Sequence, residues 1–255
     1  MGDGAVDILL SARRLNLRLN ALPIADRPRD LATAYAVQDR LVAALGDTPV
    51  GWKVGCTSRA AQEILGIDRP FAGRLLAATT LESPARVPGA GLRLRGIEAE
   101  FGLMLGRDLT PDQAPFTRDS VADAVAAVVP CIEVVEPRYA DWRRVDAPGV
   151  VADNAAHGLV VTGPVHAGWP VRDLDRHPVR LTVDGREALH GHGADALGHP
   201  LAVLAWLADH ATGRGRVLAA GDLVITGMCA GHFRPPATHA VADFGDLGRV
   251  EVTFD

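Results

Sequence analysis

Residues 92–105 constrain the fold of this chain more than any other stretch. Leu92, Leu94, Ile97, Ala99, Phe101 and Leu103 interleave with Arg93, Arg95, Glu98 and Glu100. Such alternation predicts a β-strand, with Gly96 as a bulge or bend in it. In a strand, residues two apart share a face, so Glu98 and Glu100 converge on one side, their Cα atoms roughly 6.6 Å apart. Two like charges on a partly buried face repel and are costly to desolvate. A divalent cation removes both costs, and hard carboxylate oxygens suit Mg²⁺ or Mn²⁺. The competing readings are a solvated strand face and a pair bridged to arginine.

The rest of the chain is punctuated by 17 prolines and 27 glycines, which favours strands and turns over a helical bundle. Helical spacing appears first, over 4–20 and 31–45. In the second segment Leu31, Ala34, Tyr35, Leu41, Val42 and Leu45 fall on one face, with Gln38 the single polar interruption. Pro28 and Asp30 mark its start, and Ala21 to Arg29 reads as a connector. Residues 50–56 alternate as a strand, and Ser58 caps a short helix to Leu65. Helices are predicted over 118–128, ended by Pro130, and over 201–210. Further strands are predicted at 131–135, 159–162, 179–183, 222–227, 239–244 and 250–254. The sum is an α+β chain, helices first and a strand-rich body after.

Composition excludes some functions. A net charge of −5 argues against a nucleic-acid or anionic-membrane partner, and 5% aromatic content against a base-stacking platform. Cys56, Cys131 and Cys229 are odd in number and far apart, so neither a disulfide framework nor a zinc-finger pattern is expected. No signal-peptide core or membrane-length apolar run is read, which makes a cytoplasmic protein the expectation. Lys53 is the only lysine among 26 basic residues. Lysine can exchange a proton when its pKa is lowered, whereas arginine cannot.

Three further groups are chemical candidates. Glu133 lies in the apolar run from Val128 to Val135, where an unpaired carboxylate is costly. Its bland readings are an exposed edge position or a pair with Arg138. Glu136 competes with it, but the adjacent Pro137 assigns Glu136 to a turn. Asp153, Asn154 and His157 read as a polar turn before a strand, with His157 suited to acid or base work. His190, His192 and His199 suggest zinc or copper only weakly, because no Cys or His completes a tetrahedral set.

The motifs follow one another in a recognisable order. Gly51-Trp-Lys-Val-Gly-Cys-Thr57 precedes Gly96-Ile-Glu-Ala-Glu-Phe101 and Leu105-Gly-Arg-Asp-Leu109. Ile132-Glu-Val-Val135, Ala152-Asp-Asn-Ala155, Leu197-Gly-His-Pro-Leu201 with Ala205-Trp-Leu207, and Gly221-Asp-Leu-Val-Ile-Thr-Gly227 complete the series. Together they resemble the 2-keto-4-pentenoate hydratase and 4-oxalocrotonate decarboxylase branch of the fumarylacetoacetate hydrolase superfamily. The resemblance implies a mixed β-roll (residues 50–255) preceded by a helical lobe (residues 1–49). It implies Mg²⁺ or Mn²⁺ held by Glu98, Glu100 and Glu133, with Lys53 as the active-site lysine and Asp153, Asn154 and Thr226 contacting substrate. It further implies a 2-oxo acid or enol substrate and a homo-oligomer, with association to a related pathway enzyme open. Hydration of a 2-hydroxy-2,4-dienoate matches the lobe and length best. Decarboxylation of a 2-oxo-3-enedioate, tautomerisation, acylpyruvate hydrolysis and an inactive partner subunit are the alternatives. Two departures stand out. Pro70-Phe-Ala-Gly73 lacks the aspartate that relatives carry there, and Ala156 and then His157 follow Asp153-Asn-Ala155 where a hydroxyl is common after the alanine. His157 is therefore a candidate to supply the missing proton-transfer group.

Overall fold

In a computed structural model, which describes residues 3–233 and 236–255, the elements run in the following order. The chain begins with α1 (Asp3–Arg14), α2 (Leu31–Leu45), β1 (Pro49–Gly55), α3 (Arg59–Leu65), β2 (Phe71–Leu76), β3 (Thr80–Glu82) and β4 (Ala85–Val87). It continues through β5 (Gly96–Leu105), α4 (Arg118–Ala122), β6 (Val125–Val135), α5 (Ala147–Ala152), β7 (His157–Thr162) and β8 (His166–Ala167). It ends with β9 (Pro178–Val183), β10 (Arg186–His192), α6 (Pro200–Thr212), β11 (Leu223–Ile225), β12 (Ala230–His232), β13 (His239–Asp243) and β14 (Arg249–Phe254). Arg234 and Pro235 lie outside the described residues.

Nine strands form one curled sheet, ordered β2-β1-β11-β5-β6-β7-β3, with β12 added to β5 and β8 to β6. Five more form a second sheet, β10-β9-β13-β14-β4. The alternation in β5 divides the two environments. Ile97, Ala99, Phe101 and Leu103 enter the main core, where Phe101 meets Phe244 edge-on at 5.3 Å. Glu98 and Glu100 therefore face the other side, the side that carries the candidate chemistry.

One predicted helix is corrected. The helix expected over 118–128 stops at Ala122, and β6 starts at Val125 and passes through Pro130. The β-branched run Val125, Val128, Val129, Val134 and Val135 favours a strand. Pro130 is tolerated because β7 and β8 pair with β6 on either side of it, leaving a gap opposite its missing N–H. The helix predicted over 4–20 ends at Arg14, and the strand predicted from Leu92 begins at Gly96. The short strands β2, β3, β4, β8, β10 and β12 and the helix α5 fall outside the predicted elements.

The N-terminal helices do more than cover the sheet. β2 is an edge strand, and its Ala72 presents a backbone donor and acceptor to α2. The Ala72 N–H donates to the Tyr35 hydroxyl at 2.9 Å, and the Gln38 amide donates to the Ala72 carbonyl at 3.0 Å. A second Gln38 N–H bond, at 2.8 Å, reaches the Val151 carbonyl in α5. Buried backbone groups need such partners, and here side chains of a helix substitute for a neighbouring strand. Among the described residues no helix is long and apolar enough to cross a membrane.

Candidate active site

Four strands deliver the central residues. Glu98 and Glu133 are direct cross-strand partners in the antiparallel β5–β6 pair, so both side chains leave the sheet on one face. Glu100 is two residues further along β5, on that same face. Lys53 comes from β1, and β11 lies between β1 and β5. His157 opens β7 on the far side of β6. Carboxylate oxygens of Glu98, Glu100 and Glu133 come within 4.8 Å of one another. At that separation two like charges repel by roughly 3–4 kcal/mol at an effective dielectric constant near 20.

The protein compensates this charge unevenly. Glu133 is flanked on both sides: Lys53 Nζ forms an ion pair with Oε2 at 3.0 Å, and His157 Nδ1 lies 2.8 Å from Oε1, while Oε2 has no hydrogen-bond partner. Burial pushes the Glu133 pKa up, but Lys53 and His157 outweigh it and hold the carboxyl below its usual range. Glu100 is fully buried, and only its Oε2 has a partner, the Gly227 N–H at 2.7 Å. Its Oε1 is buried with no hydrogen-bond partner. Burial, with Glu133 and Glu98 adding to it, raises Glu100 well above the carboxylate range. Glu98, partly exposed, is pushed up to about 7, by burial first and then by Glu133, against the pull of Lys53. Such a set (three hard carboxylate donors, with Glu100 Oε1 and Glu133 Oε2 both lacking hydrogen-bond partners) fits a divalent cation.

Lys53 is 3% exposed and donates to the Ala155 carbonyl at 3.0 Å. Burial works against its charge, but Glu133, Glu98 and Glu100 outweigh burial and raise its pKa. The chain bends unusually to bring that carbonyl there. Asn154, Ala155 and Ala156 all adopt left-handed backbone, with φ of 50°, 54° and 58°. Each such residue costs about 1–2 kcal/mol, so the surroundings must over-determine the turn. They do: the Asn154 side chain accepts from Arg74 N at 2.7 Å and donates to Arg74 O at 2.9 Å. Asp153 accepts from the Arg138 N–H at 2.6 Å and from Arg13 at 2.8 Å. Gly73 is required beside the turn, since a Cβ there would lie 2.8 Å from Asn154 O and 3.1 Å from Lys53 Cγ.

A cavity of about 270 Å³ opens onto Lys53 and Glu98. Its wall is largely apolar, with Phe71, Val135, Trp142, Val150 and Phe233 prominent. Among the described lining residues Lys53 is the one cation. Gly227 closes one side with φ of 95°, where a Cβ would come within 2.2 Å of the Thr57 hydroxyl.

The structure thus brings Lys53, Glu98, Glu100, Glu133 and His157 together. Asp153, Asn154 and Thr226 are not cavity-lining residues; Thr226 donates its hydroxyl to Phe101 O at 2.9 Å. Glu136, assigned by sequence to a turn, is fully buried and binds the Arg93, Leu94 and Arg95 N–H groups and the Arg18 guanidinium. His199 caps α6, its Nδ1 accepting from Leu201 N at 2.9 Å. Among the described residues the three glutamates are the one group of His, Cys, Asp or Glu close enough to share an ion. Sequence reading missed the Gly227 N–H, the Ala155 carbonyl and Trp142. The first two are backbone groups and leave no residue-type signal.

Comparison with known proteins follows the same lines. The family described as Fumarylacetoacetate (FAA) hydrolase C-terminal matches residues 58–254. The 2-keto-4-pentenoate hydratase of Burkholderia vietnamiensis is 39% identical over 235 residues, covering 88% of this chain and 86% of the relative. The enzyme of that name from Paraburkholderia phymatum is 39% identical over 231 residues, with the same two coverages of 88% and 86%. Among solved structures, 4-oxalocrotonate decarboxylase from Pseudomonas putida G7, complexed with magnesium and adipate, superposes with a TM-score of 0.90. It is 28% identical and covers 98% of this chain and 96% of its own.

Proposed function

The chain belongs to the fumarylacetoacetate hydrolase family, and from that premise we propose that it is a divalent-metal-dependent hydratase of 2-hydroxy-2,4-dienoates. The orphaned Glu100 Oε1 beside Glu98 and Glu133 carries the metal part of this reading. Those three carboxylates would hold Mg²⁺ or Mn²⁺, which would supply Lewis acidity to the bound 2-oxo acid.

The remaining work falls to the chain's own groups. Lys53, buried and cationic, stabilises negative charge developing at the 2-oxygen and relays a proton. Protonation of the dienol at C5 gives a 2-oxo-3-enoate, and water added at C4 gives the 4-hydroxy-2-oxo acid. His157 keeps Nδ1 on Glu133, and on this reading it orients that carboxylate. Asp153, Asn154 and Thr226 act through the backbone they hold. The apolar wall excludes bulk water and suits an uncharged substrate tail.

That same wall favours hydration over the decarboxylase alternative. A 2-oxo-3-enedioate carries a second carboxylate, and the apolar residues of the described wall offer it no compensating charge. We further read the protein as cytoplasmic and homo-oligomeric, acting on a small molecule.

Product identification by NMR tests the reaction. Freshly generated 2-hydroxypenta-2,4-dienoate and 2-oxo-3-hexenedioate are each incubated with protein and Mg²⁺, and in parallel with excess EDTA. Metal-dependent 4-hydroxy-2-oxopentanoate from the first is the expected result. Metal-dependent CO₂ release from the second, with the first unchanged, would transfer the protein to the decarboxylase reading. Lys53→Met should lower hydration at least ~100-fold, the scale of a lost acid–base group.

A further inference from the structure

We propose that Arg13, on the N-terminal helix α1, is a positioning residue that clamps the left-handed turn holding Lys53 and Glu133 in place. The proposal rests on the metal-dependent reading above, and it assigns the helix a share in the catalytic geometry.

The turn has two outputs. The Ala155 carbonyl accepts from Lys53 Nζ at 3.0 Å, and His157, just past the turn, reaches Glu133 at 2.8 Å. One guanidinium holds both ends of this segment. Arg13 Nη2 donates to Asp153 O at 2.7 Å, at the entrance, and Nη1 donates to His157 O at 3.3 Å, at the exit. Nη2 also meets Asp153 Oδ1 at 2.8 Å, which fixes the guanidinium plane. A rigid fork can set the separation of two carbonyls; a lysine ammonium, a single point of charge, cannot. The three left-handed residues between those carbonyls give the segment reason to relax once the clamp is lost.

The helix itself does not depend on Arg13 for its seat. Ala5 and Leu9 are completely buried on its apolar face, packed with Leu22 and Leu41 among others, and Ala12 is completely buried as well. Replacing Arg13 should therefore release the turn and leave α1 docked.

The test compares full-length wild type with Arg13→Ala, Arg13→Lys and Leu9→Ala. Calorimetry with Mn²⁺ needs no substrate. Arg13→Ala should bind Mn²⁺ about 10-fold more weakly, the scale seen when a group orienting a ligand is removed. Its kcat should fall about 10- to 100-fold with little change in KM, because misplacement of Lys53 acts on the chemical step. Arg13→Lys should not restore activity, whereas millimolar guanidinium should partly rescue Arg13→Ala. Leu9→Ala, which loosens the helix without touching the turn, should lower Tm and leave kcat and Mn²⁺ affinity near wild type. Wild-type kcat and affinity in Arg13→Ala would overturn the inference. So would an equal loss in Leu9→Ala without guanidinium rescue. If wild type binds Mn²⁺ but leaves the dienoate unchanged, the substrate assignment fails while the calorimetric comparison still decides the role of Arg13.

Discussion

Glu100 and Glu133 sit in one cluster yet carry opposite costs. Both Glu133 oxygens face cationic or donor groups, Lys53 and His157. Glu100 has one N–H partner and one orphaned oxygen. Glu100→Gln keeps an oxygen for the Gly227 N–H and removes a carboxyl whose ionised form is costly there, so its metal-free Tm should match or exceed wild type. Glu133→Gln leaves Lys53 in a buried site without its nearest counter-charge, which should cost roughly 3–5 kcal/mol. Both variants should lose the stabilisation that Mn²⁺ gives wild type, about 2.7 kcal/mol at a hundred times Kd, or roughly 5–10 °C. Thermal unfolding with Mn²⁺ and with EDTA checks this; a metal-free Tm as low in Glu100→Gln as in Glu133→Gln would refute the asymmetry. The acidic residues were legible in the sequence because two carboxylates at spacing two, and a third in an apolar run, violate ordinary burial rules. The partner of Glu133 was not legible: Arg138 was the nearest candidate in sequence, but Arg138 turns to Glu136, 3.6 Å away. Which cation lies beside a carboxylate depends on strand order, and residue spacing does not encode strand order.

At the scale of elements, long patterned segments were readable: α2 and α6 lie close to their predicted bounds, and β5 ends where predicted although it starts at Gly96. The failure at 118–128 has a physical cause. A strand buried on both faces loses its alternation, and β6 is buried along nearly all its length. The helix α6 carries its own pH-sensitive group. His210 stacks on Trp206 at 4.9 Å and 7°, lies 4.7 Å from the Tyr35 ring, and has a buried Nε2 without a partner. Burial, and secondarily Arg214, lower its pKa from 6.5 to about 4. The sign follows from linkage: the unfolded chain protonates His210 first, so its contribution to stability is complete above about 6.5 and is lost as pH falls towards about 4. His210→Phe retains a ring for Trp206 and cannot protonate. Urea unfolding at pH 7 and pH 5 should therefore show a smaller drop in stability for His210→Phe than for wild type. Equal drops would mean that His210 titrates normally.

For the whole molecule, the question is whether the N-terminal helices are a separate unit or part of the body that forms the cavity. The sequence offered one clue, the single polar residue on the apolar face of α2, and the structure gives that residue a job. Gln38 is 1% exposed and donates both amide hydrogens, to Ala72 O in β2 and Val151 O in α5. The residues next to those carbonyls, Phe71 and Val150, line the cavity. Gln38→Leu keeps the volume and strands two buried carbonyls, each worth about 1–3 kcal/mol, so a loss of roughly 2–5 kcal/mol is expected. The shape of the transition matters more than its size. Bonds crossing from α2 to β2 and α5 tie the helices to the sheet, so wild type and Gln38→Leu should each unfold in one step. Helix loss followed by circular dichroism should coincide with Trp52 and Trp142 exposure followed by fluorescence. A helical signal that melts first in wild type would show that residues 1–49 unfold on their own and that the Gln38 bonds do not couple them to the cavity wall.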